Sequence, residues 1–319
     1  MLHPDIHAIL RRIRGLMDRY PGRTTLAEVS SQSGAFERVG GYTDGADRLH
    51  MAYTLQPTRG GFDHAAVGRL LGDAGNRRGW IAWSFSNHDV ERAVSRWAPC
   101  PAAAADPNFA RLLMGLMLSL RGSVSLYQGE ELVLPNAIVA PEHMQDPFGV
   151  AFYPEYAGRD GSRTPIPWVA DAPQAGFTTG VPWLPIDPRH IALSVDRQEH
   201  DLGSALNAWR RFLAWRKSHP ALIDGDLESI DAPTPLIAFR RVAPAESILV
   251  VLNLSDGPVT VSESLVAGAH PLSGHGFAEP ECSNAMVLPR YGVFFATEEE
   301  KPSPGCGRRR SASTSSAPR

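Results

Sequence analysis

From Asp5 to Tyr20 apolar residues recur at helical spacing: Ile6, Ile9, Leu10, Ile13, Leu16 and Met17 share one face, with Arg11, Arg12 and Arg14 outside it. Pro21-Gly22 ends that helix, and the short β-branched run Thr24 to Val29 predicts a strand ending at Glu28. Leu49 to Leu55 and Trp80 to Phe85 predict two more strands, each followed by a segment that reads as a helix. The strongest amphipathic pattern runs from Pro107 to Leu120, carried by Phe109, Leu112, Leu113, Leu116, Met117 and Leu120. Gly122 stops it, and a buried strand is expected from Val124 to Tyr127. Between Gly129 and Asp201 no period survives; Pro, Gly and Trp abound, which predicts loops on a rigid scaffold, where binding residues tend to sit. A last helix is expected from Leu202 to Arg216, with Leu206, Trp209, Phe212 and Leu213 at helical spacing.

After His219-Pro220 the pattern changes to short alternating strands: Leu236 to Val242, Ser247 to Leu252, Val259 to Val261, Ala285 to Leu288 and Gly292 to Ala296. These predict a small antiparallel β-sandwich. From Glu298 the chain turns charged and then Ser/Arg-rich, with too little apolar material to fold. The expected fold class is α/β: about four strand and helix pairs, half of a (β/α)8 TIM barrel, then the sandwich. The expected units are a partial barrel over 1–218, a sandwich over 219–297 and a disordered tail over 298–319. A half barrel leaves strand edges open, so alone it is expected to be unstable or to pair with another chain.

Composition narrows the function classes. A length of 319 residues, 43% hydrophobic and 20% charged, suits an ordinary globular protein of two domains. The net charge of −3 favours no polyanionic partner, so nucleic acid is not expected. Cys100, Cys282 and Cys306 are scattered and odd in number, which argues against a disulfide framework and a clustered metal site and fits a reducing compartment. No apolar run spans a membrane and Met1 leads straight into an amphipathic pattern, so a cytoplasmic protein with no membrane partner is expected. With 27 Pro and 29 Gly, the balance suits a loop-rich α/β enzyme.

Three segments at or near strand ends could carry chemistry. Glu28 closes a strand, as either a solvated edge residue or a catalytic carboxyl. Asn87-His88-Asp89 ends the next apolar strand but one; these groups form either a cap or Asx-turn, or a site whose hydrogen bonds a polyhydroxylated ligand completes. In Gly158-Arg159-Asp160-Gly161-Ser162-Arg163, Asp160-Gly161 reads as a tight turn, and Arg159 as a group able to orient a carboxylate.

Taken together, LAEV, RLHMAY, FSNHD, SLRGSVSLYQGEEL and GRDGSRTPIPW stand in the order seen in α-glucosidases and oligo-1,6-glucosidases. From about Arg23 to Ala296 the chain resembles this group of the α-amylase superfamily of glycoside hydrolases. The resemblance implies barrel strands 5 to 8, with Glu28 as general acid/base and Asp89 as the third carboxylate that steadies the transition state. It further implies that His88 binds sugar hydroxyls, that Arg159 belongs to the glycone pocket, that the sandwich is structural, and that no cofactor is needed. The implied activity is retaining cleavage of terminal α-glucosyl residues from short oligosaccharides. Burial or a neighbouring carboxylate, for which Asp89 is available, must then keep Glu28 protonated.

The pattern is incomplete. The family's nucleophile, an aspartate in R-x-D at the end of strand 4, is absent, as are the histidine motif of strand 3 and the N-terminal calcium-type loop. The chain therefore reads as truncated by about half its barrel. Asp5, at the first helix start, reads as an N-cap or first-turn carboxylate rather than a substitute nucleophile. Thr54 to Arg59 stand where relatives carry an aromatic after HMAY. An inactive carbohydrate- or partner-binding remnant is the alternative expectation.

Overall fold

A computed structural model of the chain describes residues 3, 5–29, 34–75, 79–282 and 285–298. The expected tail beyond Glu298 lies outside the described residues, as do Pro4 and Cys306.

Four short strands, β1 (Leu26–Glu28), β2 (Met51–Tyr53), β3 (Ala82–Trp83) and β4 (Ser123–Val124), run parallel. β1 pairs with β2 and β3 with β4; a parallel bridge, Ala52 to Ile81, joins the two pairs. The helices Ala35–Thr43, His64–Gly75, Pro107–Ser119 and Ala205–Lys217 follow the strands in turn, and Ile6–Met17 precedes them. This is the half barrel that the periodicity predicts, in sequential strand order.

Its open edges explain where burial departs from expectation. Of the six apolar residues on the first helix only Leu10 is buried, because among the described residues no strand pairs with the outer edge of β1 to cover the others. Leu26 on β1 is half exposed for the same reason. The buried strand expected at Val124 to Tyr127 is instead a two-residue, half-buried one, since β4 is paired on one side among the described residues.

The segment between β4 and the Ala205–Lys217 helix is irregular, as its lack of period predicts, and is held by buried polar groups. Gln198, for example, donates through Nε2 to the Leu132 and Leu193 carbonyls at 3.0 and 2.9 Å. Short helices such as Pro147–Phe152 and Pro188–Ile191 start on Asp-Pro pairs, with Asp146 and Asp187 capping the backbone.

The C-terminal part contains β5 (Asp226–Ile230), β6 (Leu236–Ala243), β7 (Glu246–Asn253), β8 (Val259–Thr260), β9 (Ala269–Pro271), β10 (Glu281–Cys282), β11 (Met286–Leu288) and β12 (Val293–Glu298). One antiparallel sheet has the order β5-β6-β7-β12-β9, the other β10-β11-β8. β5, β9 and β10 escape the sequence pattern because they are short and polar: on β5 only Leu227 is buried. β12 extends to Glu298, which pairs with Arg240.

One apolar cluster joins Trp83, Leu112, Leu116 and Phe212 of the barrel part to Phe239, Val250 and Phe295 of the sandwich. The buried Arg241 of β6 donates to the carbonyls of Ser119, Leu120 and Gly225 at 2.8 to 2.9 Å. It thereby satisfies carbonyls that the end of the Pro107–Ser119 helix leaves open.

Candidate functional site

In-register parallel pairing puts the C-terminal ends of β1 and β2 side by side, with Glu28 opposite Tyr53. The Tyr53 hydroxyl donates to Glu28 Oε2. Burial first, and then the Glu28 contact, raise the Tyr53 phenol above its ordinary range; the Asp89 charge acts in the same direction. The ends of β1 and β2 thus share one locus, and the charge of Asp89, beyond β3, reaches the Tyr53 phenol.

Beyond β3 the chain turns sharply, as Ser84 Oγ donates to the Ser86 carbonyl at 2.8 Å. Asn87 Oδ1 accepts the Asp89 N–H at 2.8 Å, so Asn87 forms an Asx-turn. Asp89 is not a helix cap. Its carboxylate accepts from Arg159 Nη1 at 3.1 Å and Arg163 Nη2 at 3.2 Å, with His88 Nε2 at 3.5 Å. The His88 side chain is 57% exposed, and its carbonyl accepts from Arg163 Nε at 2.7 Å. Asn87 thus shapes the turn, and Asp89 lies on it against His88, Arg159 and Arg163.

Arg159 is held from behind by Asp146, through Nη2 to Oδ1 at 2.7 Å and Nε to Oδ2 at 3.0 Å. That bidentate pair holds the buried Asp146 carboxyl down at about 2 and pushes the guanidinium up. The Phe148 ring lies against the Arg159 guanidinium at 5.4 Å. Asp160 is fully buried and accepts the N–H groups of Gln145 and Asp146 at 2.6 and 2.8 Å, which makes it a scaffold residue. Gly161 is required in this turn: a Cβ there would lie 2.4 Å from Asn136 Nδ2 and 2.6 Å from the Ala137 carbonyl.

The structure thus gathers Asp89, His88 and Arg159 into contact, while Glu28 is bonded to Tyr53. Sequence reasoning missed Tyr53, Asp146 and Arg163. Tyr53 was discoverable from parallel register once β1 and β2 were aligned, whereas Asp146 resembled an ordinary helix cap, a role it also fills. Tyr156 was missed too. Burial raises its phenol, and the charges of Asp146, Arg159, Arg163 and Asp89 all act on it. Exposed Phe148 and Phe152 stack beside the same loops at 6.4 Å. Asp5 sits at the N-cap of the first helix without a side-chain capping bond, exposed beside His3.

Among the described residues no group of three or more His, Cys, Asp and Glu could hold a metal ion, and no helix is long and apolar enough to cross a membrane. A cleft of about 1080 Å³ lies elsewhere, lined by residues such as Cys100, Arg111 and Trp209, and includes none of the candidate residues.

The family described as the catalytic domain of alpha amylase matches residues 3–225. The chain belongs to the α-amylase family. Within it, the chain is 40% identical over 298 residues to a probable alpha-glucosidase of Rhizobium meliloti (strain 1021), covering 92% of the chain and 53% of that protein. It is 28% identical over 198 residues to an oligo-1,6-glucosidase of Parageobacillus thermoglucosidasius, covering 56% of the chain and 35% of the relative. The crystal structure of an alpha-glucosyl transfer enzyme superposes with a TM-score of 0.85 at 39% identity, covering 93% of this chain and 55% of the other. This α-amylase-family chain therefore spans about half the length of that alpha-glucosidase and of that transfer enzyme, in agreement with its half barrel and C-terminal sheets.

Proposed function

We propose that this chain carries the acid/base and glycone-binding part of a retaining α-glucosidase site, on a partial barrel over 1–218 that the sandwich over 219–297 braces. The observation that carries the reading is the gathering of Arg159, Arg163 and His88 on Asp89, with the Tyr53 phenol bonded to Glu28 and within the field of the Asp89 charge. Glu28 delivers the proton to the leaving glycosidic oxygen. Asp89, held by two guanidinium groups, orients sugar hydroxyls and balances the charge of the oxocarbenium-like transition state, and His88 donates to a hydroxyl of the same sugar. Exposed Phe148 and Tyr156 offer apolar faces for sugar rings.

Retaining hydrolysis also needs a nucleophilic carboxylate about 5 to 5.5 Å from the acid. The sequence holds no R-x-D aspartate. The attacking group therefore comes from a complementing segment seated on the open edge at β1, and the substrate is a short α-glucosyl oligosaccharide. The same absence favours a second reading, a sugar-binding remnant without turnover.

Release of nitrophenol from 4-nitrophenyl α-glucoside separates the two. Turnover that Glu28→Gln abolishes supports the enzyme; maltose binding by calorimetry that survives Glu28→Gln and is lost in Arg159→Ala, without turnover, supports the remnant. A folded chain that neither cleaves the glucoside nor gives heat with maltose sinks both.

A further inference from the structure

Behind the Asn87-His88-Asp89 turn lies Glu130, which the chemistry above does not use. Its Oε1 accepts from Ser86 Oγ at 2.8 Å, and its Oε2 accepts the Tyr127 N–H at 2.9 Å. Ser86 is fully buried, and its Oγ also accepts the Ala93 N–H at 2.9 Å. This hydroxyl thus clamps the two arms of the 86–93 turn together and ties them to the loop after β4. Little else in regular structure holds the turn, because β3 ends at Trp83.

The charged neighbours of Glu130 are Arg92 and Arg96, and both donate elsewhere. Arg92 reaches the carbonyls of Gln128 and Ser162 at 2.6 and 3.1 Å, and Arg96 those of Phe85 and Glu91. Glu130 therefore sits among cations that balance it from a distance, beside a cavity of about 30 Å³ that Arg92, Phe85 and Trp209 also line. The Arg92 bonds join the same unit to Ser162, three residues beyond Arg159 in the chain.

We propose that Glu130 is a positioning residue which, through Ser86, fixes the turn that presents His88 and Asp89 to the sugar. The inference rests on the reading of Asp89 as a site carboxylate, but its test has a readout that needs no sugar. The Asp89 N–H, bonded to Asn87 Oδ1 at 2.8 Å, lies within this turn, so its hydrogen-exchange protection, followed by NMR, reports how firmly the turn is held.

The whole chain is compared as wild type, Glu130→Gln, Glu130→Leu and Ser86→Ala. Glu130→Leu and Ser86→Ala are expected to lower the protection of the Asp89 amide about tenfold or more, as the turn loses its clamp. Glu130→Gln keeps an acceptor and is expected to stay within about twofold of wild type. Maltose affinity should fall about tenfold in the first two variants. Should Glu130→Leu fail to fold, Ser86→Ala decides. A Ser86→Ala chain with a wild-type melting curve and unchanged protection of the Asp89 amide overturns the proposal. A wild type that binds no maltose overturns the sugar-site reading instead and leaves the hydrogen-exchange comparison intact.

Discussion

Arg159 grips Asp146 with two bonds, of 2.7 and 3.0 Å, and reaches Asp89 with a third nitrogen at 3.1 Å. Asp146→Asn breaks the charged pair while leaving Asp89 in reach, so a loss of about 1 to 3 kcal/mol is expected in urea unfolding at pH 7. Because the folded Asp146 carboxyl is held at about 2, below its ordinary value, its contribution is present at neutral pH and fades as pH falls toward 2. Glu130 has the opposite sign. Burial raises its carboxyl to about 7, despite the Tyr127 and Ser86 hydrogen bonds and the charges of Arg92 and Arg96. The folded state then keeps a proton that the unfolded chain loses at lower pH, so the Glu130 contribution is full in acid and is lost as pH rises through 7. Unfolding midpoints from pH 4 to 8 should show a decline on the alkaline side that is shallower in Glu130→Gln. A slope unchanged by the substitution counts against this assignment.

The Pro107–Ser119 helix was legible end to end, since nine of its thirteen residues are buried, seven of them large and apolar, and Pro107 stands at its start. Asp106 accepts the Asn108 N–H at 2.8 Å and also pairs with Arg290, so Asp106→Ala is expected to cost about 1 to 2 kcal/mol. The GRDGSR turn was legible as a turn but not as the support of Arg159. Gly161→Ala forces atoms apart at Asn136 and Ala137, and a loss of maltose binding larger than the loss of stability is the expected result. Equal losses in calorimetry and thermal melting point to general unfolding instead. Strands β5 and β9 were illegible because few of their side chains are buried; hydrogen bonds to β6 and β12 make them strands.

At the scale of the molecule, Ile9, Ile13, Leu16 and Leu26 are exposed apolar residues along the edge where the half barrel ends. Sedimentation of the isolated chain should reveal concentration-dependent self-association, and Ile13→Lys with Leu16→Lys should shift it toward monomer. A chain that stays monomeric over a hundredfold range of concentration would show that this edge does not drive association. The sandwich is not an independent appendage: Arg241 and the apolar cluster through Phe212, Phe239 and Phe295 anchor it to the barrel helices. Arg241→Leu leaves the Ser119 and Leu120 carbonyls without their donor and is expected to destabilise both parts in one transition, by about 2 to 4 kcal/mol.

The amino-acid sequence by itself determined the class of fold, the order of strand and helix pairs, and the presence of Glu28, His88, Asp89 and Arg159 at strand ends or in loops. Those features depend on local periodicity, turn residues and short motifs, which are written along the chain. Only the tertiary structure decided that Tyr53 bonds to Glu28, that Asp146 anchors Arg159, and that Glu130 underlies the Asp89 turn. Each of these contacts joins separate strand ends or loops, distant in sequence, and burial supplies the energy that makes a carboxylate or a guanidinium accept one partner over water.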